Sequence, residues 1–175
     1  MREAVDFPTP HLYALLLKQD DPRKCTAARL CRLGLATPLY KVGRIPRGSL
    51  ILNPLASRML LPNDKILVER YGLVAIDCSW ERAQNVFGTK LLRSGRRLPA
   101  LLASNPVNYA KLHKLSSAEA IAAALYVLGF KDNARRMLAS FKWGETFFTL
   151  NYEPLESYSE AETAEGMSQT EAQYF

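Results

Sequence analysis

Three short stretches of this chain hold residue types that could do chemistry. In the first, the apolar run from Leu73 to Ile76 stops at Asp77, and Trp80 follows three residues later. A carboxylate at the end of a buried strand can accept from ribose hydroxyls, hold an amine or take a proton. An indole in the first turn of the next helix can form one wall of a slot for a flat base. The same pattern also fits a carboxylate that accepts turn N–H groups with a core aromatic behind it, and pattern alone favours that plainer reading. In the second stretch, Thr26 follows Asp21-Pro22-Arg23-Lys24-Cys25 at a candidate helix start. A hydroxyl there, with backbone N–H groups, suits a carboxylate or a phosphate. The third, Asn105-Pro106-Val107-Asn108-Tyr109, carries more specific hydrogen-bonding groups than a linker needs. A loop tying two parts of the fold would use them too.

Several chemistries are absent from the pattern. No G-x-G-x-x-G or G-x-x-x-x-G-K-[ST] occurs, which argues against a dinucleotide or P-loop enzyme. His11 lies in an apolar run and His113 among lysines, so no Ser-His-Asp or Cys-His set is persuasive and a hydrolase is not favoured. Cys25, Cys31 and Cys78 fit no zinc spacing, so no metal is expected, and reduced thiols point to a cytoplasmic setting.

The elements that must position these residues are β-rich in the first half. Strands are expected at His11–Leu17, Ile66–Glu69 and Leu73–Ile76, the last two joined by a turn at Arg70–Gly72. Ser49–Leu52 is a short apolar run closed by Asn53-Pro54. Cys25–Leu33 reads as a helix capped by Thr26, and Ser79–Phe87 as a helix stopped by Gly88. Residues 89–97 form a basic connector, and Leu98–Ala103 is a strand or extended segment. The second half reads helical. Ser116 and Glu119 have capping-box spacing before Ala118–Leu128, which Gly129 ends, and Lys131–Phe141 and Gly144–Leu150 follow. The order strand, carboxylate, helix is that of open α/β sheets, whose ligands sit beyond the carboxyl ends of the strands.

The chain has 175 residues, 48% of them hydrophobic, enough for one compact domain or two small lobes sharing a core. No apolar run approaches the length of a membrane span, so no membrane association is expected. Net charge is +6, and six glutamates with no Lys or Arg follow Tyr152, so residues 1–151 hold all 23 basic and 11 acidic residues, a balance of +12. A body this basic attracts a polyanion. Its basic residues fall in clusters at Arg23, Lys24, Arg29 and Arg32, at Arg44, Arg47 and Arg58, at Arg93, Arg96 and Arg97, and at Lys111, His113 and Lys114. Spread over several loops, they suit a surface that reads phosphates. The acidic end, from about residue 159, is expected to fray.

Five blocks together resemble one family. They are Asp21-Pro22-Arg23-Lys24-Cys25-Thr26, Asp77-Cys78-Ser79-Trp80, the run Leu98 to Tyr109, Leu115-Ser116-Ser117-Ala118-Glu119-Ala120, and Phe141-Lys142-Trp143-Gly144. In this order they are similar to the small-subunit rRNA aminocarboxypropyltransferases of ribosome biogenesis, in an archaeal form, from about Leu12 to Asn151. Ala27 stands where the family usually has Gly, and Gln19 and Asp20 stand where it commonly has His and Asp.

The resemblance implies an α/β fold: a SPOUT-like, mainly parallel sheet with a trefoil-knotted region, then a C-terminal α-helical lobe. It divides the chain into an α/β domain (1–97), a helical domain that completes the cosubstrate site (98–158) and a flexible acidic tail (159–175). It implies S-adenosylmethionine as cosubstrate, with the 3-amino-3-carboxypropyl arm moving to N3 of an N1-methylpseudouridine in small-subunit rRNA or a pre-ribosomal particle. Adenine would lie between Leu52, Pro54 and Trp80 on one side and Leu101 and the segment from Leu115 to Ala122 on the other. Backbone groups near Ala100, Leu101 and Leu115 would read its edge, and the Ile76 carbonyl would meet the ribose. Asp77 would hold the arm's amino group or act near the acceptor, and Thr26 and Ser117 would hold its carboxylate. The appended helical lobe leads to the expectation of a monomer. A SPOUT-type RNA methyltransferase and a non-enzymatic assembly factor are the competing readings.

Overall fold

The computed structural model describes residues 9–17, 21, 23–77 and 95–175. The expected helix over Ser79–Phe87, and with it Trp80, lies outside the described residues, as does Arg93. Among the described residues, five strands form one parallel sheet: β1 (Leu12–Leu16), β2 (Thr37–Leu39), β3 (Leu50–Leu52), β4 (Leu73–Asp77) and β5 (Gly95–Arg96), in the order β2-β1-β4-β3-β5. Parallel pairing puts every carboxyl end on one edge. The chain adds β2 to one side of β1 and the remaining strands to the other. The direction of winding therefore changes at the β1–β4 pair, where such sheets open a crevice.

The central strand β4 is buried on both faces, as parallel sheets require. Leu73 and Ala75 pack into the large helical core, while Val74 and Ile76 join Leu15 and Ile51 on the opposite face. The short helices α1 (Thr26–Arg32) and α2 (Lys65–Tyr71) connect strands. Ile66–Glu69, expected as a strand, belongs to α2. The physical reason is topological. β3 and β4 are parallel neighbours, so the chain between them must cross over, whereas a hairpin at Arg70–Gly72 would have made two adjacent strands antiparallel. Ile66 is 70% exposed and only Val68 of this helix is buried. Gly72 ends α2 at φ +87, where a Cβ would sit 2.8 Å from the His11 carbonyl oxygen, so the tight entry into β4 favours glycine.

After the extended segment from Leu98, which bridges to Leu112 at Leu102, five helices complete the chain. They are α3 (Ser117–Val127), α4 (Lys131–Leu138), α5 (Gly144–Leu150), α6 (Tyr152–Ser159) and α7 (Ala164–Tyr174). Nine of the eleven residues of α3 are buried. Its alanines let it pack closely against β4, α1, α4 and α6. The helix expected to reach Phe141 stops at Leu138, where the Phe141 N–H turns back onto the Leu138 carbonyl.

The acidic end does not fray. It forms the end of α6 and all of α7, because its few apolar side chains are well placed: Tyr158 and Met167 are fully buried. Glu171 is also not a solvated charge. It accepts from the two terminal guanidinium nitrogens of Arg97, at 3.2 and 3.4 Å, and from the Ala100 N–H at 2.7 Å.

One buried carboxylate organises the middle of the chain. Glu119 is fully buried and accepts five hydrogen bonds: Ser104 N–H (2.7 Å), Asn105 N–H (3.0 Å) and Ser104 Oγ–H (3.1 Å) at Oε1, and Ser116 N–H (2.7 Å) and Asn105 Nδ2–H (2.7 Å) at Oε2. Ser116 Oγ returns the favour by accepting the Glu119 N–H, completing the expected capping box. A buried charge is tolerated when its lone pairs are this fully occupied. Glu119→Ala would leave several buried donors unpaired, at about 1–3 kcal/mol each. We therefore expect a loss of about 3 kcal/mol or more in urea-unfolding stability, whereas Glu145→Ala, which breaks an exposed ion pair with Arg135, should cost under about 1 kcal/mol. Equal effects of the two substitutions would contradict this assignment.

Candidate functional site

The carboxyl end of β4 is where two helix N-termini meet. Cys25, not Thr26, caps α1: its Sγ accepts the Ala28 N–H at 3.1 Å. The same thiol donates to Asp77 Oδ2 at 3.0 Å, and the Ser117 hydroxyl, in the first turn of α3, donates to Asp77 Oδ1 at 3.3 Å. Thr26 Oγ1 accepts the Ala118 N–H at 3.2 Å, so Thr26 ties α1 to the start of α3 rather than capping its own helix. A carboxylate beside two helix starts is electrostatically favoured, because unpaired N–H groups give those ends partial positive charge. Burial first, and then the hydrogen bond to Asp77, push the Cys25 thiol from its ordinary 9.0 up to about 12. It is a protonated donor, not a nucleophile.

Next to this cluster is a cavity of about 420 Å³. Its walls are Leu52, Asn53, Pro54 and Leu55 after β3, Ala75 and Ile76 of β4, the Arg96–Pro99 segment with Leu101, and His113, Leu115, Ser116, Ser117 and Ala120. Ser117 belongs to both features, lining the cavity and bonding Asp77. The volume and the mostly apolar walls suit a small organic ligand.

The expected site residues Leu52, Pro54, Ile76, Leu101, Leu115 and Ser117 come together in this wall. Asp77 and Thr26 stand beside it. Ala122 does not line it: it is fully buried in α3, while Ala120 shares the face of Ser116 and Ser117 that looks onto the cavity. The Ala100 backbone is also occupied, its N–H donating to Glu171 and its carbonyl accepting from the Tyr158 hydroxyl at 3.0 Å.

Among the residues missed are one in the wall, Asn53, and one beside it, Cys25. Asn53 served only as a turn signal, and its Oδ1 does accept the Leu55 N–H at 2.9 Å. Yet it is 1% exposed and its Nδ2 has no partner among the described residues. Such a buried donor is costly unless something meets it. Cys25 was read as an ordinary reduced thiol. Its one signal was its place immediately before a helix, where cysteine is not among the usual caps.

The basic residues divide into two groups. Arg29 donates to the Ser140 carbonyl at 2.6 Å and lies over the Phe141 ring, binding α1 to the helical half. Arg96 makes a two-pronged, part-buried contact with Asp64, 3.1 Å at each oxygen, and Arg97 is held by Glu171. These three have partners within the fold, with Arg29 still exposed. Arg23, Lys24, Arg44, Arg47, Arg58, Lys111 and Lys114 are exposed, with Arg23 paired to Asp21. Among the described residues no His, Cys, Asp and Glu group could hold a metal ion, and no helix is long and apolar enough to cross a membrane.

A parallel α/β sheet with an apolar cavity and a carboxylate at the strands' carboxyl ends is an arrangement that suits a small organic ligand. Residues 50–175 match the family described as "Ribosome biogenesis protein, C-terminal". The chain is 43% identical over 155 residues to the 16S rRNA aminocarboxypropyltransferase of Methanocaldococcus jannaschii, covering 89% of this chain and 90% of that protein. It is 45% identical over 165 residues to that of Thermoplasma acidophilum, covering 94% and 99%. The structure of the SAM-dependent rRNA:acp-transferase Tsr3 from Vulcanisaeta distributa superposes with a TM-score of 0.82 at 39% identity, covering 94% and 97%. The chain belongs to this family of transferases, and it is an enzyme.

The Cys25 environment is directly testable. Unfolded chain releases the thiol proton near pH 9.0 and folded chain near 12, so this group's contribution to stability is full below pH 9 and declines as pH rises through that window. Native protein at pH 8 should resist alkylation at Cys25 by iodoacetamide, and denaturant should expose it. Rapid alkylation of the folded chain at Cys25 would contradict the part-buried, protonated thiol.

Proposed function

We propose that this chain transfers the 3-amino-3-carboxypropyl group of S-adenosylmethionine to N3 of an N1-methylpseudouridine in small-subunit rRNA during ribosome biogenesis. The observation that carries this is the apolar cavity meeting Asp77 and two helix starts at one end, in a chain this similar to the named transferases. Flat adenine fits the apolar part of the wall, between Leu52 and Pro54 on one side and Leu101 and Leu115 on the other. A zwitterionic arm fits the polar end: Asp77 takes its ammonium, while its carboxylate faces Thr26, Ser117 and the N–H groups of the helix starts.

The polar end is prepared for exchange. Asp77 is held by a thiol and a hydroxyl, both neutral donors, and an ammonium forms the stronger, charge-assisted bond. Its arrival would free the Ser117 hydroxyl to donate to the arm's carboxylate. Thr26, whose oxygen already accepts from Ala118, still has its own proton to donate. The Asn53 amide is a further donor in the wall. S-Adenosylmethionine supplies a sulfonium with three electrophilic carbons, and the one that reacts is the one held in line with the acceptor. In the transfer, N3 loses its proton, the N3–Cγ bond forms, the Cγ–S bond breaks and methylthioadenosine departs.

We read the fold further as SPOUT-like with a trefoil knot, on the strength of the five sequence blocks and the parallel strand order. Residues 1–97 and 98–158 act as the two lobes of the cosubstrate site, in a monomer that works in the cytoplasm.

Label tracing tests the reaction. Carboxyl-labelled S-adenosylmethionine should mark a small-subunit rRNA fragment, methyl-labelled should not, and methylthioadenosine should be the by-product. Methyl label in the RNA with S-adenosylhomocysteine would make the chain a methyltransferase. No binding of S-adenosylmethionine at high micromolar concentration would leave a non-enzymatic assembly factor. Asp77→Asn should weaken cosubstrate binding about tenfold or more in calorimetry, in line with loss of a charged hydrogen bond of about 1.5–3 kcal/mol. Unchanged affinity would remove Asp77 from the arm's site.

A further inference from the structure

The loop after Asn105 holds two apolar side chains out in solvent. Val107 is 83% exposed and Tyr109 59%. This is not slack chain. Ala110 sits at φ 59 and His113 at φ 58, left-handed conformations that non-glycine residues adopt only when their surroundings hold them there. The restraints are a ladder to the Leu101–Ala103 segment: Ala110 N–H to the Ala103 carbonyl (2.7 Å), Ala103 N–H to the Lys111 carbonyl (3.0 Å) and His113 N–H to the Leu101 carbonyl (3.2 Å). At its base Asn105 is gripped by Glu119, and its Oδ1 accepts the Asn108 N–H at 3.1 Å. The fold thus maintains local strain in order to present an aromatic and a branched aliphatic side chain to water.

Position and charge say what would meet them. Leu101 and His113, at the foot of the loop, line the cavity, so the loop rises from the rim of the candidate site. Lys111 within it is exposed, and no acidic residue occurs between Arg82 and Ala118. A partner that offers flat apolar faces on a polyanionic chain matches this combination: an unpaired nucleotide stacks its base on an aromatic ring while a lysine meets its phosphate.

We propose that the 106–113 loop is a stacking platform for an unpaired base of the RNA substrate, with Tyr109 as the stacking side chain, Val107 as a second apolar contact and Lys111 as the phosphate contact. This rests on the reading that the substrate is rRNA. The test compares wild type, Tyr109→Phe and Tyr109→Ala in three assays: affinity for a small-subunit rRNA hairpin, affinity for S-adenosylmethionine, and arm transfer to the hairpin. Tyr109→Ala should weaken RNA binding and raise the KM for RNA about tenfold, with cosubstrate affinity unchanged, and Tyr109→Phe should behave as wild type. Val107→Asp, which adds a negative charge at the tip, should weaken RNA binding as well. The platform is overturned if Tyr109→Ala binds RNA as wild type does. It is also overturned if cosubstrate affinity falls in parallel, since that marks a structural defect. If wild type binds the hairpin through Tyr109 yet transfers no arm, the platform stands and the proposed reaction fails.

Discussion

A carboxylate with no access to water, Glu119, is the constraint on which the site depends. By drawing in the backbone of Ser104, Asn105 and Ser116, it fixes the entry of α3 and the start of the loop after Asn105 together. The entry of α3 supplies Ser116, Ser117 and Ala120 to the cavity wall, and Ser117 to Asp77. Glu119 touches no cavity atom, yet two sides of the cavity are registered against each other through it. Were this charge on the surface, its hydrogen bonds would exchange with water and the register would be soft.

A second carboxylate acts the same way from the far end of the chain. Glu171 of α7 clamps Arg97 and the Ala100 N–H, and Tyr158 of α6 takes the Ala100 carbonyl. The segment that forms the opposite cavity wall is thereby held by the last two helices. The sheet contributes the third fixed element, since parallel pairing of Leu16 with Asp77 and Leu52 with Ala75 brings the carboxyl ends of β1, β3 and β4 together. Cys25 then links the helix after β1 to the end of β4. Parts of the chain more than a hundred residues apart converge on one small volume, each held by a specific buried or part-buried contact.

Much of this was legible in the sequence, for local reasons. The capping box at Ser116 and Glu119, Gly129 as the end of α3, and the apolar run before Asp77 all depend on neighbouring residues, and all appear where expected. The motif blocks contain the Leu98–Leu101 and Leu115–Ala120 parts of the cavity wall, while Leu52, Pro54 and Ile76 came from the roles that the resemblance implies. Long-range partnerships were not legible. Whether Arg96, Arg97 and Arg29 find Asp64, Glu171 and the Ser140 carbonyl as partners depends on which segments fold together, and charge counting cannot tell. The same blindness made the acidic end look disordered, because six glutamates outweighed the few buried residues, Tyr158 and Met167 among them, that dock its helices. The misread Ile66–Glu69 strand was an error of topology: local β-propensity could not reveal that β3 and β4 run parallel.

In the proposed reading, these contacts hold a zwitterionic arm at the polar end of the site and a flat base against its apolar wall, and so decide which carbon of a sulfonium meets the acceptor. The most direct measurement is a crystal structure of the chain with bound S-adenosylmethionine. The expected result is adenine between Leu52, Pro54, Leu101 and Leu115, the ammonium on Asp77, the methyl group turned into the protein and the arm's γ-carbon facing the cavity mouth. A cosubstrate with its methyl group at the mouth and the arm's γ-carbon enclosed would contradict arm transfer.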